Sequence, residues 1–157
     1  MIRRLVFALS LVACASSPVP VTKPTSLPNA ALLSLDSGHQ ELTSALGGRP
    51  ALVSLWATWC DACQRELPDL AQLDTWAKEH GGVVMGVAVG EPVAKVKTFA
   101  SEHRMAYPIL VDEDFRLADA LGEKKVPTTL VIDRTGKIVF TGGALDERSK
   151  KAFASLF

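Results

Sequence analysis

The feature that most constrains this chain is the octet Trp56-Ala57-Thr58-Trp59-Cys60-Asp61-Ala62-Cys63. The six residues before it, 51–56, are largely apolar and bounded by Pro50, as a short buried strand should be. Residues 64–80 after it carry apolar positions at helical spacing. A strand that delivers two cysteines to the first turn of a helix is suited to redox chemistry. Backbone N–H groups there lack partners and the helix dipole is positive, so a thiolate is favoured over a thiol. Two intervening residues leave the second sulfur close enough to close a small disulfide. The first cysteine can then attack and the second can resolve the mixed disulfide. An inert buried pair and half of a metal site are the competing readings at this spacing.

Composition narrows the choice. The chain has 157 residues, enough for one domain with one core, and 48% of them are apolar, which excludes wholesale disorder. The formal net charge is zero. Loss of residues 1–13 would remove Arg3 and Arg4 and no acid, taking 17 basic residues to 15 against 17 acidic ones, about −2. No basic field remains to attract nucleic acid. Three cysteines are too few for a disulfide framework, and no second C-x-x-C completes a zinc site. His39, His80 and His103 have no ligand spacing, so neither a metal nor a cofactor is expected. Gln64 follows Cys63, so the C-x-x-C-H of haem attachment is absent.

Residues 1–13 read as a signal peptide. Arg3 and Arg4 form its charged start, and residues 5–13 form an apolar stretch well short of the ~20 residues of a membrane-spanning helix. The stretch ends Leu11-Val12-Ala13-Cys14, which resembles the lipobox of bacterial lipoproteins. That resemblance implies cleavage before Cys14, lipidation of Cys14 and a lipid anchor to a bacterial membrane. Residues 14–31 hold four prolines among Ser, Thr and Val and read as an extended tether.

The folded domain is expected over residues 32–157. Residues 32–35 read as an edge strand, Ser37-Gly38 as a turn, and 41–46 as a short helix stopped by Gly47-Gly48. Strand 51–56 and helix 61–79 follow, the latter expected to kink at Pro68. Residues 83–89 are almost continuously apolar, as a strand covered on both faces should be. Pro92 opens a helix. A strand at 107–111 and a helix at 114–121, capped by Gly122, come next. A hairpin of 130–133 and 137–141 about Asp133-Arg134-Thr135-Gly136 leads to a closing helix from Asp146. The alternation predicts an α/β fold, a central mixed sheet with helices on both faces and a C-terminal antiparallel hairpin.

The W-A-T-W-C-x-x-C block resembles the thioredoxin superfamily. With Glu66 and Pro68 it reads C-x-x-C-x-x-E-x-P, similar to the membrane-tethered TlpA/ResA-like thiol–disulfide oxidoreductases of the bacterial envelope. Val126-Pro127-Thr128-Thr129, residues 132–136 and Gly143-Ala144-Leu145 extend the likeness across the domain. It implies a thioredoxin-like fold and a redox-active Cys60–Cys63 pair, with Cys60 the nucleophile and Cys63 the resolving thiol. Pro127 matches a cis-proline beside the disulfide, which would let Val126 and Thr128 meet an extended substrate. Trp59 would shield the sulfurs or touch that substrate. Glu66 stands where ResA-like enzymes carry a glutamate that can manage the proton of Cys63; the buried acid that thioredoxins place earlier is replaced here by Ser54.

The function expected is reduction of disulfides in exported proteins, for instance an apocytochrome c, by a monomer re-reduced by a membrane electron donor. Asp61 beside Cys60 would either oppose the helix dipole and make the pair a reductant, or cap the helix. Two other classes compete. A thiol peroxidase would need Pro-x-x-x-Thr-x-x-Cys, but Thr58 lies two residues before Cys60 and the proline is missing. A lipoprotein binding copper through Cys60 and Cys63 is the other.

Overall fold

A computed structural model describes residues 23–36 and 38–157. The expected signal peptide, Cys14 and residues 14–22 of the expected tether lie outside the described residues.

Seven strands form one sheet in the order β2-β1-β5-β4-β3-β6-β7. They are β1 (Ala31–Ser34), β2 (Gly38–Glu41), β3 (Ala51–Trp56), β4 (Val83–Val89), β5 (Ile109–Asp112), β6 (Thr128–Ile132) and β7 (Ile138–Gly142). The helices are α1 (Leu42–Leu46), α2 (Asp61–Glu79), α3 (Val93–Glu102), α4 (Arg116–Leu121) and α5 (Glu147–Ala154). Strands β3, β4 and β5 are parallel, joined by the crossovers α2 and α3, while β6 and β7 run antiparallel. This is the thioredoxin-like α/β architecture.

The alternation of β3 sorts the core. Ala51, Val53 and Leu55 face α1 and α4 with Met85, Val87, Leu117 and Leu130. Leu52 and Trp56 face α2, α3 and α5 with Val84, Leu70, Val96 and Phe153. Phe153 is fully buried, and burial of a side chain of that size is worth about 1.5–3 kcal/mol, so the short α5 is anchored largely by one ring.

Helix α2 and strands β3 and β4 carry the bounds that the hydrophobic pattern predicts, and α2 continues through Pro68. The N-terminal part differs. Residues 38–41 form β2, so β1 lies inside the sheet between β2 and β5 and β2 is the edge. All four β2 residues are exposed, so no buried alternation marks them as strand. Strand β5 begins at Ile109 and α4 at Arg116, each two residues later than expected. Residues read as tether also join the fold: the Leu27 N–H donates to Gly136 O and the Ile138 N–H to Thr25 O, and Leu27 and Ala30 are buried. Prolines bar such residues from a central strand but not from pairing at a sheet margin.

Candidate active site

Because β3 and β4 are parallel neighbours, with Trp56 opposite Ala88, both end at the same margin of the sheet. Strand β6, antiparallel to β3 with Thr128 opposite Leu55, begins there. The Thr58–Cys60 loop, the Gly90-Glu91 turn and the Val126–Thr128 segment therefore converge at the carboxyl ends of the parallel strands, where open α/β sheets place their sites.

Cys60 and Cys63 are joined by a disulfide, with Cα atoms 5.2 Å apart. Cys60 is itself the N-cap of α2: its backbone is extended, and its Sγ accepts from the Cys63 N–H at 3.1 Å. The sulfur thus occupies the acceptor position that Ser or Asp usually fills, against the positive end of a helix of 19 residues. Capping is done by Cys60, leaving the exposed Asp61 in the first turn. Cys60 is 6% exposed and Cys63 2%, so attack reaches the first sulfur more readily than the second.

Trp59 projects from this loop at 67% exposure. It shares a groove of about 380 Å³ with Gly90, Phe115, Lys124, Lys125 and Val126, and Phe115 is the other exposed aromatic there. Val126 packs against the core cluster that contains both cysteines. The Val126–Pro127 peptide bond is cis. Thr128 is buried, and its hydroxyl donates to Lys125 O at 2.8 Å, closing the loop on itself.

Glu66 lies one turn past Cys63 and is buried. Its Oε1 accepts from the Leu145 N–H at 2.8 Å, while Oε2 has no protein partner. Burial raises its pKa, the Leu145 bond works against that, and the Asp69 charge adds to the rise. A carboxyl held in this way can carry a proton nearer neutrality than an exposed glutamate does.

One acid at the site is not found from the motif. Glu91, buried at the end of β4, accepts from the Thr58 N–H and from the Thr58 hydroxyl, each at 2.6 Å, and pairs with Lys95 Nζ at 2.6 Å. Burial tends to raise its pKa, but the bonds from Lys95 and Thr58 outweigh that and hold it below the usual value. Gln64 Nε2 donates to Thr58 O at 2.8 Å, so the residue two before Cys60 is gripped on both sides. The one signal in the sequence is position: a charged residue between Gly90 and Pro92, after a wholly buried strand. Among the described residues no three His, Cys, Asp or Glu side chains gather as metal ligands would.

Comparison with known proteins agrees with this geometry. Residues 25–141 match the sequence model of the AhpC/TSA family. The thiol-disulfide oxidoreductase ResA of Geobacillus thermodenitrificans is 31% identical over 134 residues, 84% of this chain and 76% of that protein. The solved thioredoxin domain of a thiol-disulfide oxidoreductase from Bacteroides vulgatus superposes with a TM-score of 0.75 at 18% identity, over 87% of this chain and 99% of that one. A secreted disulfide oxidoreductase of Mycobacterium tuberculosis superposes at 0.68 and 20% identity, over 82% and 96%.

Proposed function

The chain belongs to the AhpC/TSA family and is a ResA-like thiol–disulfide oxidoreductase, and from that premise we propose that it reduces disulfides in exported proteins, with Cys60 as nucleophile and Cys63 as resolving thiol. The observation that carries the assignment of roles is Cys60 Sγ at the N-cap of α2 beside an open groove. In the reduced enzyme the Cys60 thiolate attacks one sulfur of a client disulfide, and the client's other sulfur leaves and takes a proton. Cys63 loses its proton and attacks Cys60 Sγ, which re-forms the enzyme disulfide and frees the second client thiolate. The client gains two electrons and one proton, its second sulfur leaving as a thiolate; the enzyme, which starts with Cys60 ionised, loses the same and is reset by a membrane electron donor.

Trp59, Val126 and Pro127 form the surface the client meets, while Thr128, expected there too, is buried behind them and braces the loop through its bond to Lys125 O. Glu66 takes the proton from Cys63. A client such as an apocytochrome c, whose haem-binding cysteines must be reduced, fits this direction of electron flow. Export and anchoring rest on the leader-like residues 1–13 and on Cys14. No described helix is long and apolar enough to cross a membrane; the lipid anchor is proposed from the lipobox-like residues 11–14.

Trapping tests the exchange mechanism. A Cys63→Ser variant should retain clients as mixed disulfides on Cys60, released by dithiothreitol, and Cys60→Ser should retain none. Equal labelling of the two variants would reject the assignment. Cys14→Ala should move the protein from the membrane to the soluble fraction; unchanged fractionation would reject the anchor.

A further inference from the structure

Six buried side-chain atoms among the described residues have no protein hydrogen-bond partner: Ser54 Oγ, Trp56 Nε1, Glu66 Oε2, Asp74 Oδ1, Tyr107 OH and Thr129 Oγ1. Each such group costs about 1–3 kcal/mol if left unpaired, so six scattered at random would be hard to tolerate. They are not scattered. Ser54 and Trp56 lie on the β3 face that looks toward α2, and Thr129 sits opposite Ser54 on β6. Gly86 sits opposite Ser54 on the other side, and the three make a rung of small side chains across the sheet. A Cβ at Gly86 would lie 2.8 Å from Trp56 Nε1 and 3.1 Å from the Tyr107 ring, so the space left by the glycine is where those two groups meet.

The roof of this space is α2. Its buried stripe is Cys63, Glu66, Leu70, Asp74 and Ala77, two carboxylates among five residues. Each has one oxygen satisfied, Glu66 by the Leu145 N–H and Asp74 by Lys78 Nζ at 2.6 Å, and each turns the other oxygen to no protein group. Burial first, then the charges of Glu66 and Asp74, raise the pKa of Tyr107, which places the phenol within the field of both acids and keeps its proton on. The two carboxylates are eight residues apart, about 12 Å along the axis, too far for direct contact but bridgeable through Tyr107. Lys78 and Tyr107 also line a surface cleft beside Leu35 and Met105, and the buried Asp74 meets that cleft through its bond to Lys78 Nζ.

We propose that these six atoms enclose a hydrated polar chamber, and that Asp74 and Tyr107 use its water to pass a proton between solvent and Glu66. Polar groups in sufficient number are what hold buried water, each molecule satisfying about three of them. The proposal rests on the assignment of Glu66 to the proton of Cys63 and adds where that proton goes: Cys63 gives it to the Glu66 carboxylate, water hydrogen-bonded to Tyr107 carries it on, and Asp74 releases it to the cleft. No electrons move in this step. The charged groups around the path are Lys78 at its outer end, and Arg65 and Asp69 acting on Glu66; β3, β4 and β6 contain no charged residue. Asp74 and Tyr107 are positioning residues, since neither touches a sulfur.

Reaction of the reduced protein with 5,5′-dithiobis(2-nitrobenzoate) separates the two steps. The first thionitrobenzoate released reports attack by Cys60, the second reports resolution by Cys63. In Asp74→Asn and Tyr107→Phe the second phase should slow about tenfold at neutral pH and change its pH profile, with the first phase within twofold of wild type. That is below the 10²–10⁴-fold contribution of a group transferring the proton directly. An unmoved second phase in folded variants, or a parallel fall of both phases, overturns the proposal. If neither variant folds, a high-resolution structure of the wild-type protein decides: ordered water bonded to at least two of the six atoms supports the chamber, and a dry space with the atoms paired to one another overturns it. A wild type that releases no thionitrobenzoate at all would instead defeat the oxidoreductase mechanism itself.

Discussion

Glu91 holds Thr58 by both of its carboxylate oxygens, one taken by the backbone N–H and one by the hydroxyl. The two residues are 33 apart in sequence and lie just past the carboxyl ends of two strands paired in parallel. The loop that presents Trp59 and Cys60 is thus fixed from the neighbouring strand, and a carboxylate is the one side chain that can accept from two donors there and from Lys95 as well. Glu91→Ala leaves the Thr58 donors buried and unpaired and should cost about 2–4 kcal/mol of stability, the sum of one or two lost charge-assisted bonds. Glu91→Gln should recover part of that. The wild-type contribution has a definite pH sign. With the folded pKa below the ordinary 4.5, it is present above that value and fades as pH falls through the lowered one. Urea unfolding of the three proteins between pH 3 and 7 checks this; a gap between wild type and Glu91→Gln that widens on acidification would contradict it.

Glu66 behaves oppositely. Its folded pKa is raised, so the carboxyl favours the folded state most below the ordinary 4.5 and loses that contribution as pH rises through the raised value. Glu66→Gln keeps an oxygen to accept from Leu145 and removes the buried charge. The variant should therefore be as stable as wild type or more so at pH 8, with the difference vanishing toward pH 4. The same variant should slow resolution by Cys63, because an amide takes no proton. Thermal melts across pH, set beside the second phase of thionitrobenzoate release, measure both; a variant less stable at pH 8 than at pH 4 relative to wild type would refute the linkage.

How much of this was legible in the residues follows from what each element buries. Strands β3 and β4 are covered on both faces, so their apolar runs mark them to the residue. Strand β2 is exposed throughout, so nothing in its hydrophobicity separates it from a turn. The cysteines, Pro127 and Glu66 stand in one local pattern or its distant partner and are readable as such. Glu91 and Tyr107 are not, since their meaning depends on which strand lies beside which. Asp74 sits midway: Leu70 and Ala77 flank it at helical spacing, which puts it on the buried stripe, but an acid is normally read as solvated there. Pairing of one oxygen with Lys78 and orphaning of the other is a fact of tertiary structure only.

Asp61 should tune the potential. It stands next to Cys60 in the first turn of α2, exposed, so its charge acts against the thiolate that the helix terminus favours. An effect of about 0.3–1 kcal/mol at such a site corresponds to roughly 6–20 mV for a two-electron couple, at 30 mV per 1.4 kcal/mol. Asp61→Asn should raise the potential by that amount and leave the protein a weaker reductant. Equilibration of both proteins with dithiothreitol redox buffers measures it. A potential lowered by the substitution would show that Asp61 serves the helix more than it opposes the sulfur.

Gly90 couples the backbone to the client groove. It has φ of +70°, and its N–H donates to Asp112 O at 2.9 Å, which fixes the turn between β4 and Glu91. A Cβ on it would lie 2.1 Å from Phe115 Cζ, so the exposed Phe115 ring lies directly on the glycine. Gly90→Ala therefore meets two penalties: about 1–2 kcal/mol for a left-handed alanine, and displacement of Phe115 from its seat. Phe115 and Trp59 are the exposed aromatics of the groove, and the loss should fall on large substrates. The variant should melt lower and reduce insulin several-fold more slowly in kcat/KM, while its first-phase rate with 5,5′-dithiobis(2-nitrobenzoate), which needs only Cys60, stays within about twofold. Equal losses with the small and the large disulfide would mean that the groove plays no part in holding the client and that the substitution acts through Glu91 and the Cys60 loop instead.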